Sequence, residues 1–138
     1  MKDLVAFAHA LSDETRWRIL QLICNEPLCV CELADVLKMP QSSVSSHVQV
    51  IRKAGLLDTE KCGKWVYYRL ALNHRHLLSL LGEFFEVTTA SDATLKADAK
   101  RAEKRLAERD ESCCPLPTAL TKLKPVTTRN LLKQSDPI

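Results

Sequence analysis

Residues 40–55 read Pro40-Gln41-Ser42-Ser43-Val44-Ser45-Ser46-His47-Val48-Gln49-Val50-Ile51-Arg52-Lys53-Ala54-Gly55. Despite four serines the segment reads as a helix, because Val44, Val48 and Ile51 fall at i, i+4 and i+7 and define one buried stripe. Ser42, Ser46, Gln49 and Lys53 lie on the opposite side, a face of short polar groups ending in a cation. Gly55 is placed to terminate the helix, and Pro40 favours extended backbone at Met39. Upstream, residues from about Val30 to Leu37 form a shorter helix that buries Leu33, Ala34 and Leu37, joined to the polar helix by the tight turn Lys38-Met39-Pro40. Two short helices linked by such a turn, the second polar on its outer face, are a candidate helix-turn-helix.

The elements on the C-terminal side of the polar helix sharpen this reading. Two strands, roughly Leu57–Lys61 and Trp65–Leu70, are joined by Cys62-Gly63-Lys64, with Val66 and Tyr68 alternating against Tyr67 and Arg69. A basic hairpin directly after the second helix predicts a mostly α fold with a two-stranded wing, a winged helix-turn-helix. On the N-terminal side, Leu4–Leu11 reads as a short apolar helix. Ser12 is expected to cap a second helix running to about Cys24, with Asp13 and Glu14 in its first turn. Beyond the hairpin, Asn73 is expected to cap a helix from His74 to about Thr88 carrying Leu77, Leu78, Leu80, Leu81, Phe84 and Phe85. That is too much apolar surface for one side of an isolated small domain, and pairing across a two-fold axis covers it. Residues 92–111 are alanine-rich, charged and plausible helix. The expected organisation is a DNA-binding and dimerisation domain over 1–90, a helical extension over 91–114, and a flexible tail over 115–138 containing Pro115, Pro117, Pro125 and Pro137.

The chain has 138 residues, 46% hydrophobic and 27% charged, with only three glycines. This length suits one domain, and glycine-rich phosphate loops are absent. No run of about 18 apolar residues suggests a membrane span. Met1-Lys2-Asp3 leads into a short mixed segment without the apolar core of a signal peptide, so a cytoplasmic location is expected. The net charge of +3 says little alone. Within 41–70, however, Arg52, Lys53, Lys61, Lys64 and Arg69 outnumber Asp58 and Glu60, which concentrates positive charge on the folded motif.

The polar helix divides the chemistry of recognition. Ser42, Ser43, Ser46 and Gln49 can approach base edges or phosphates in a major groove, and the Gln49 amide suits bidentate adenine recognition. Arg52, Lys53 and Lys64 read as phosphate neutralisers. His47 has two readings, a DNA-proximal group or a half-buried histidine bonding within the domain. Trp65, Tyr67 and Tyr68 read as hairpin packing.

Glu32-Leu33-Ala34, Pro40 through His47, Ile51-Arg52-Lys53-Ala54-Gly55-Leu56-Leu57 and Gly63-Lys64-Trp65-Val66-Tyr67-Tyr68-Arg69-Leu70 together resemble the ArsR/SmtB family over about residues 4–90. The resemblance implies a homodimeric bacterial repressor that leaves a palindromic DNA operator when an effector binds. It also gives Gln41, Ser45 and His47 DNA-proximal positions.

Six cysteines stand at 24, 29, 31, 62, 113 and 114. The apolar core does not resemble a disulfide-stapled domain, so free thiols with a metal or redox role are expected. Cys29-Val30-Cys31 resembles the CxC of the arsenic-sensing branch, where a third cysteine stands one turn later; Ala34 occupies that position here. A helix N-terminus is expected to lower the thiol pKa of Cys29 and Cys31, and thiolates bind thiophilic ions well. A plainer alternative makes Cys31 a small buried hydrophobe and Cys29 a surface remnant. Cys113-Cys114 is the other cluster. Adjacent cysteines make a strained disulfide, but both sulfurs can grip one As(III) or Sb(III), and some ArsR-like proteins carry an inducer site on adjacent C-terminal cysteines. Either that pair acts alone, which would suit an organoarsenical, or a third thiol joins from Cys29, Cys31 or Cys62.

The functional expectation is therefore a repressor that releases its operator on binding arsenite, antimonite or an organoarsenical, with no organic cofactor. Cadmium, lead or zinc sensing is one alternative. His74, His76, Glu83 and Glu86 do not compose a convincing nitrogen/oxygen site, while cadmium or lead on thiolates is feasible. A thiol redox sensor on the same scaffold is another alternative. An enzyme is not expected, since no cysteine precedes an anion-cradling loop.

Overall fold

A computed structural model of the chain describes residues 1–110 and 114–117. The elements run α1 (Lys2–Leu11), α2 (Glu14–Leu22), β1 (Leu28–Cys29), α3 (Val30–Leu37), α4 (Gln41–Lys53), β2 (Leu57–Cys62), β3 (Trp65–Leu70), α5 (Leu72–Phe84) and α6 (Ala93–Ala107). The expected stripe is realised: Val44, Val48 and Ile51 are fully buried, as are Ile19, Leu20, Ile23, Leu28, Leu33 and Leu56 around them. Each such side chain contributes about 1.5–3 kcal/mol relative to exposure, so α4 is held by packing and its serine-rich outer face is free for other work. Gly55 comes after α4 with φ +76°, the left-handed conformation that stops a helix cheaply only with glycine.

Several boundaries differ from expectation for local polar reasons. Asp13, not Ser12, caps α2 by accepting the Arg16 N–H at 3.0 Å, while the Ser12 hydroxyl turns back to the His9 carbonyl at the end of α1. The fifth helix starts at Leu72, after Ala71, rather than at His74, and ends at Phe84. In α6 the Asp92 carboxylate caps the helix by accepting the Leu95 N–H at 3.0 Å.

The wing is part of a larger sheet than expected. The three strands run antiparallel in the order β1-β3-β2, with Cys29 opposite Tyr67, and Cys62 opposite Trp65 at the hairpin end. Gly63, at φ +62°, opens the turn between β2 and β3. The two-residue strand β1 runs straight into α3, so the start of the helix-turn-helix is hydrogen-bonded to the wing. Helix α6 returns over the domain and packs on α3 and α2. Among the described residues no helix is long and apolar enough to cross a membrane.

Candidate functional site

The first turn of α3 carries a reciprocal cap. Cys29 stands at the N-cap with φ −91° and ψ 169°, and its N–H donates to Glu32 Oε1 at 3.1 Å. The helix therefore presents Cys29 and Cys31 together, with sulfurs 3.0 Å apart. After α6 the chain returns to this point. Cys114 sits with its Sγ 3.5 Å from that of Cys29 and 3.2 Å from that of Cys31. Among the described residues these three are the group able to hold a metal ion. Cys29 and Cys114 are buried and Cys31 is half-buried.

The triangle can be compared with known coordination. Four thiolates around a tetrahedral ion with bonds of about 2.3 Å stand about 3.8 Å apart. Edges of 3.0–3.5 Å are tighter, and with similar bonds correspond to angles of roughly 80–100°. Such spacing suits a trivalent centre bearing a lone pair better than a regular tetrahedron. The Cys29, Cys31 and Cys114 thiolates are thus capable of coordinating a trivalent metalloid. The third thiol missing at Ala34 is supplied from far along the chain, beyond α6.

Two arginines of α6 and one just past its end hold this return. Arg101, Arg105 and Arg109 recur every four residues and so share one side. Arg101 Nε donates to the Val36 carbonyl at 2.7 Å, and Arg105 Nε to Asp35 Oδ2 at 2.9 Å. Arg109 grips buried Glu32 through two oxygens, at 2.7 and 2.9 Å, and donates to the Pro27 carbonyl at 2.6 Å. Its guanidinium also lies 5.4 Å from the Tyr67 ring centroid, while the Tyr67 hydroxyl donates to the Pro115 carbonyl at 2.5 Å. Arg105 Nη2 reaches the Cys114 sulfur at 3.5 Å. At the other end of the strap, Asp98 accepts from Arg18 through both oxygens at 2.8 Å and from Arg101 at 2.5 Å. Cys114 itself adopts φ +54°, sparsely populated for a side-chain-bearing residue.

The electrostatics correct one expectation. Burial pushes the Cys29 thiol far above its ordinary value and the bond to Cys31 adds to this, outweighing the hydrogen bond that favours the thiolate. Burial likewise raises Cys114, again with help from Cys31. The helix terminus does not win at Cys29, because desolvation of a buried charge is the larger effect. For Arg109 burial opposes the charge, but the Glu32 carboxylate outweighs it and its pKa is raised.

The other residues singled out from the sequence have these positions. Cys113 lies outside the described residues. Cys62 is half-buried, where exposure was expected, and packs against the thiol cluster without joining it. Cys29 is buried and Cys31 half-buried, the reverse of the alternative that made Cys29 a surface remnant. Gln41, Ser42, Ser46, Arg52, Lys53 and Lys64 are exposed; Ser43, Ser45 and Gln49 are half-buried. The Ser46 hydroxyl donates to the Ser42 carbonyl at 3.0 Å. His47 is half-buried with Nδ1 3.3 Å from Arg16 Nη1 and 3.9 Å from Asp13 Oδ1. Arg16 also satisfies the Ala10 and His9 carbonyls at the end of α1. The arginine strap is absent from the sequence reading; its signal was the four-residue spacing of Arg101, Arg105 and Arg109.

The sequence pattern described as "Bacterial regulatory protein, arsR family" matches residues 13–59. The arsenic resistance transcriptional regulator ArsR2 of Pseudomonas putida is 38% identical over 109 residues, covering 76% of this chain and 92% of that protein. This chain belongs to the ArsR family. ArsR1 of the same organism is 48% identical over 61 residues, which span 44% of this chain and 48% of ArsR1, about half that relative's length. Among solved structures, the homodimeric winged helix-turn-helix DNA-binding domain Mb0332 of Mycobacterium bovis superposes with a TM-score of 0.59 at 22% identity, over 62% of this chain and 80% of that one. That likeness concerns the fold, which is an α-helical winged helix-turn-helix with a small β wing.

Proposed function

We propose that the protein is a DNA-binding repressor whose Cys29, Cys31 and Cys114 thiols take a trivalent metalloid, arsenite or antimonite, and that binding releases the operator. The observation that carries this reading is the three-sulfur triangle, assembled from the N-terminus of α3 and a segment 83 residues beyond Cys31. Membership of the ArsR family and the names of ArsR1 and ArsR2 support the ion class.

The chemistry needs no free thiolate at the start. Three thiols replace three hydroxides of arsenous acid, three As–S bonds form, and three waters leave with the thiol protons. Burial favours the protonated form of Cys29 and Cys114, from which this exchange starts, whereas a divalent ion must force protons off the same groups. A redox sensor calls for an exposed thiol of lowered pKa, and the burial of Cys29 and Cys114 disfavours it.

On the DNA side, Gln41, Ser42, Ser43, Ser45, Ser46, His47 and Gln49 are assigned to the groove-facing surface, with Arg52, Lys53 and Lys64 on phosphates. Residues 1–90 bind DNA and dimerise, and 91–114 form the extension that delivers the third ligand. Leu4 and Val5 of α1 with Leu77, Leu80 and Phe84 of α5 are exposed large apolar side chains, the surface a two-fold partner covers. The coupling route is short: Cys29 is paired in register with Tyr67 of the wing, and α3 is joined to α4 by the turn Lys38-Met39-Pro40.

The test is fluorescence anisotropy of the reduced full chain on the duplex upstream of its own gene. Salt-sensitive binding reversed by arsenite is expected, with reversal lost in Cys114→Ser. Arsenite-triggered release that survives Cys29→Ser and Cys114→Ser together contradicts the site.

A further inference from the structure

Arg16, in the first turn of α2, is buried and joins three helices. Its Nε donates to the Ala10 carbonyl at 3.0 Å and its Nη2 to the His9 carbonyl at 2.8 Å. Both acceptors lie in the last turn of α1, where a helix runs short of backbone donors. With Nε and Nη2 so held, Nη1 is aimed at α4, 3.3 Å from His47 Nδ1. A guanidinium only donates, so this contact requires a lone pair on Nδ1. The rival partner of that nitrogen is Asp13 Oδ1. It stands 3.9 Å away, beyond hydrogen-bond reach, and already accepts the Arg16 backbone N–H at 3.0 Å. The proton of the neutral ring is therefore on Nε2, because the partner of one ring nitrogen sets the state of the other. Nε2 has no partner among the described residues and is not enclosed, and the side chain keeps 23% of its surface exposed.

We infer that Arg16 is a positioning residue for operator recognition: it fixes His47 with Nδ1 as acceptor, so that the ring offers Nε2–H to the nucleic acid as a hydrogen-bond donor. Such a donor suits a phosphate oxygen or the major-groove acceptors guanine O6 and N7, adenine N7 and thymine O4, and it opposes the amino group of cytosine. The two readings of His47 become one, since the ring bonds within the domain through one nitrogen and serves DNA through the other. The inference rests on the proposed assignment of His47 to the groove-facing surface. It adds to that surface a residue of another helix, which acts only through His47. The same guanidinium holds the end of α1. It thereby ties the helix carrying Leu4 and Val5, assigned to the two-fold interface, to the helix assigned to the groove.

The test has two arms on the reduced full chain. The first is nitrogen NMR of the histidine rings at about pH 8.5, on the alkaline side of the ordinary histidine pKa of about 6.5, with the His47 signals assigned from their loss in His47→Gln. The unmodified chain is expected to show Nε2–H and an Nδ1 shifted as a hydrogen-bond acceptor. Arg16→Met, which keeps the apolar stem, should remove that shift and admit the Nδ1–H form. The second arm is anisotropy on the operator duplex, with circular dichroism as the check on folding. His47→Gln sets an amide N–H near the place of Nε2, whereas His47→Asn reaches only the place of Nδ1. The glutamine variant is expected to bind about tenfold more tightly than the asparagine variant, one 1.4 kcal/mol step. A difference confined to one duplex sequence identifies a base acceptor, and one shared by all duplexes a phosphate. Predominant Nδ1–H in the unmodified chain, which needs no variant, overturns the inference. So do His47 shifts unchanged in Arg16→Met, or an asparagine variant that binds as tightly as the glutamine one. Failure of the unmodified chain to bind any duplex is a different result: it strikes the operator reading, while the NMR arm still decides whether Arg16 fixes the ring.

Discussion

Helices α4 and α6 are attached to the same domain by opposite means. The polar helix buries Val44, Val48 and Ile51 completely and spends little polar chemistry on its docking. Helix α6 inserts Leu95 and Ala102, then relies on Arg101, Arg105 and, just past its end, Arg109 to reach Val36, Asp35 and Glu32. Apolar docking leaves the outer face of α4 free for a partner. Polar docking sets the exit of α6, so that Cys114 arrives within 3.5 Å of Cys29. One helix is built to present a surface, the other to deliver a ligand.

The largest effect is expected where delivery fails. Cys114→Ser should abolish arsenite-driven release in an anisotropy titration while leaving DNA affinity unchanged, since the substituted atom lies in the thiol site and not on the polar face of α4. Next is Arg109→Ala. It leaves Glu32, which is fully buried, without its ion-pair partner and with the Cys29 N–H still bound, and removing one member of a buried pair costs about 3–5 kcal/mol. Denaturant unfolding should show that loss, and Arg109→Lys should recover only part of it because the two-pronged contact cannot be rebuilt. Ile51→Ala on the other helix should cost about 2–5 kcal/mol by leaving a cavity, and should weaken DNA binding without moving the metalloid affinity of the protein that remains folded.

A smaller effect concerns pH. Native Cys29 and Cys114 hold their protons above the ordinary thiol pKa of about 8.5. Beyond that pH the unfolded chain binds fewer protons than the native one, so stability falls as pH rises. Urea midpoints measured from about pH 7 to about pH 10 should decline, and Cys29→Ser should flatten the decline. Smallest is Lys64→Ala on the wing turn. It should weaken all duplexes similarly and reduce the salt slope by about 1, as loss of one phosphate contact does.

The same contrast explains which features are legible in the sequence. Val44, Val48 and Ile51, the stop at Gly55 and the strand over Trp65–Leu70 are local patterns whose period names the element. Strand β1 has two residues and therefore no period, so the link between Cys29 and Tyr67 is hidden there. Arg109–Glu32 and Tyr67–Pro115 join positions far apart in the chain, and no spacing rule announces such pairs. Departure from the family motif at Ala34 shows that a thiol is missing. On spacing alone Cys29, Cys31 and Cys62 are equal partners for the C-terminal pair, and only the path of the chain after α6 separates them. The pKa of Cys29 is misjudged from sequence because a helix terminus is visible there and burial depth is not.

The central claim is that one site takes its sulfurs from two segments far apart in the chain, the start of α3 and the stretch beyond α6. X-ray absorption at the arsenic edge, on the reduced full chain loaded with one equivalent of arsenite, counts those sulfurs. Three sulfur neighbours are predicted for the unmodified protein, and two sulfurs with one oxygen for Cys114→Ser. Three sulfurs persisting in Cys114→Ser would contradict the claim, because the third ligand would then come from another cysteine.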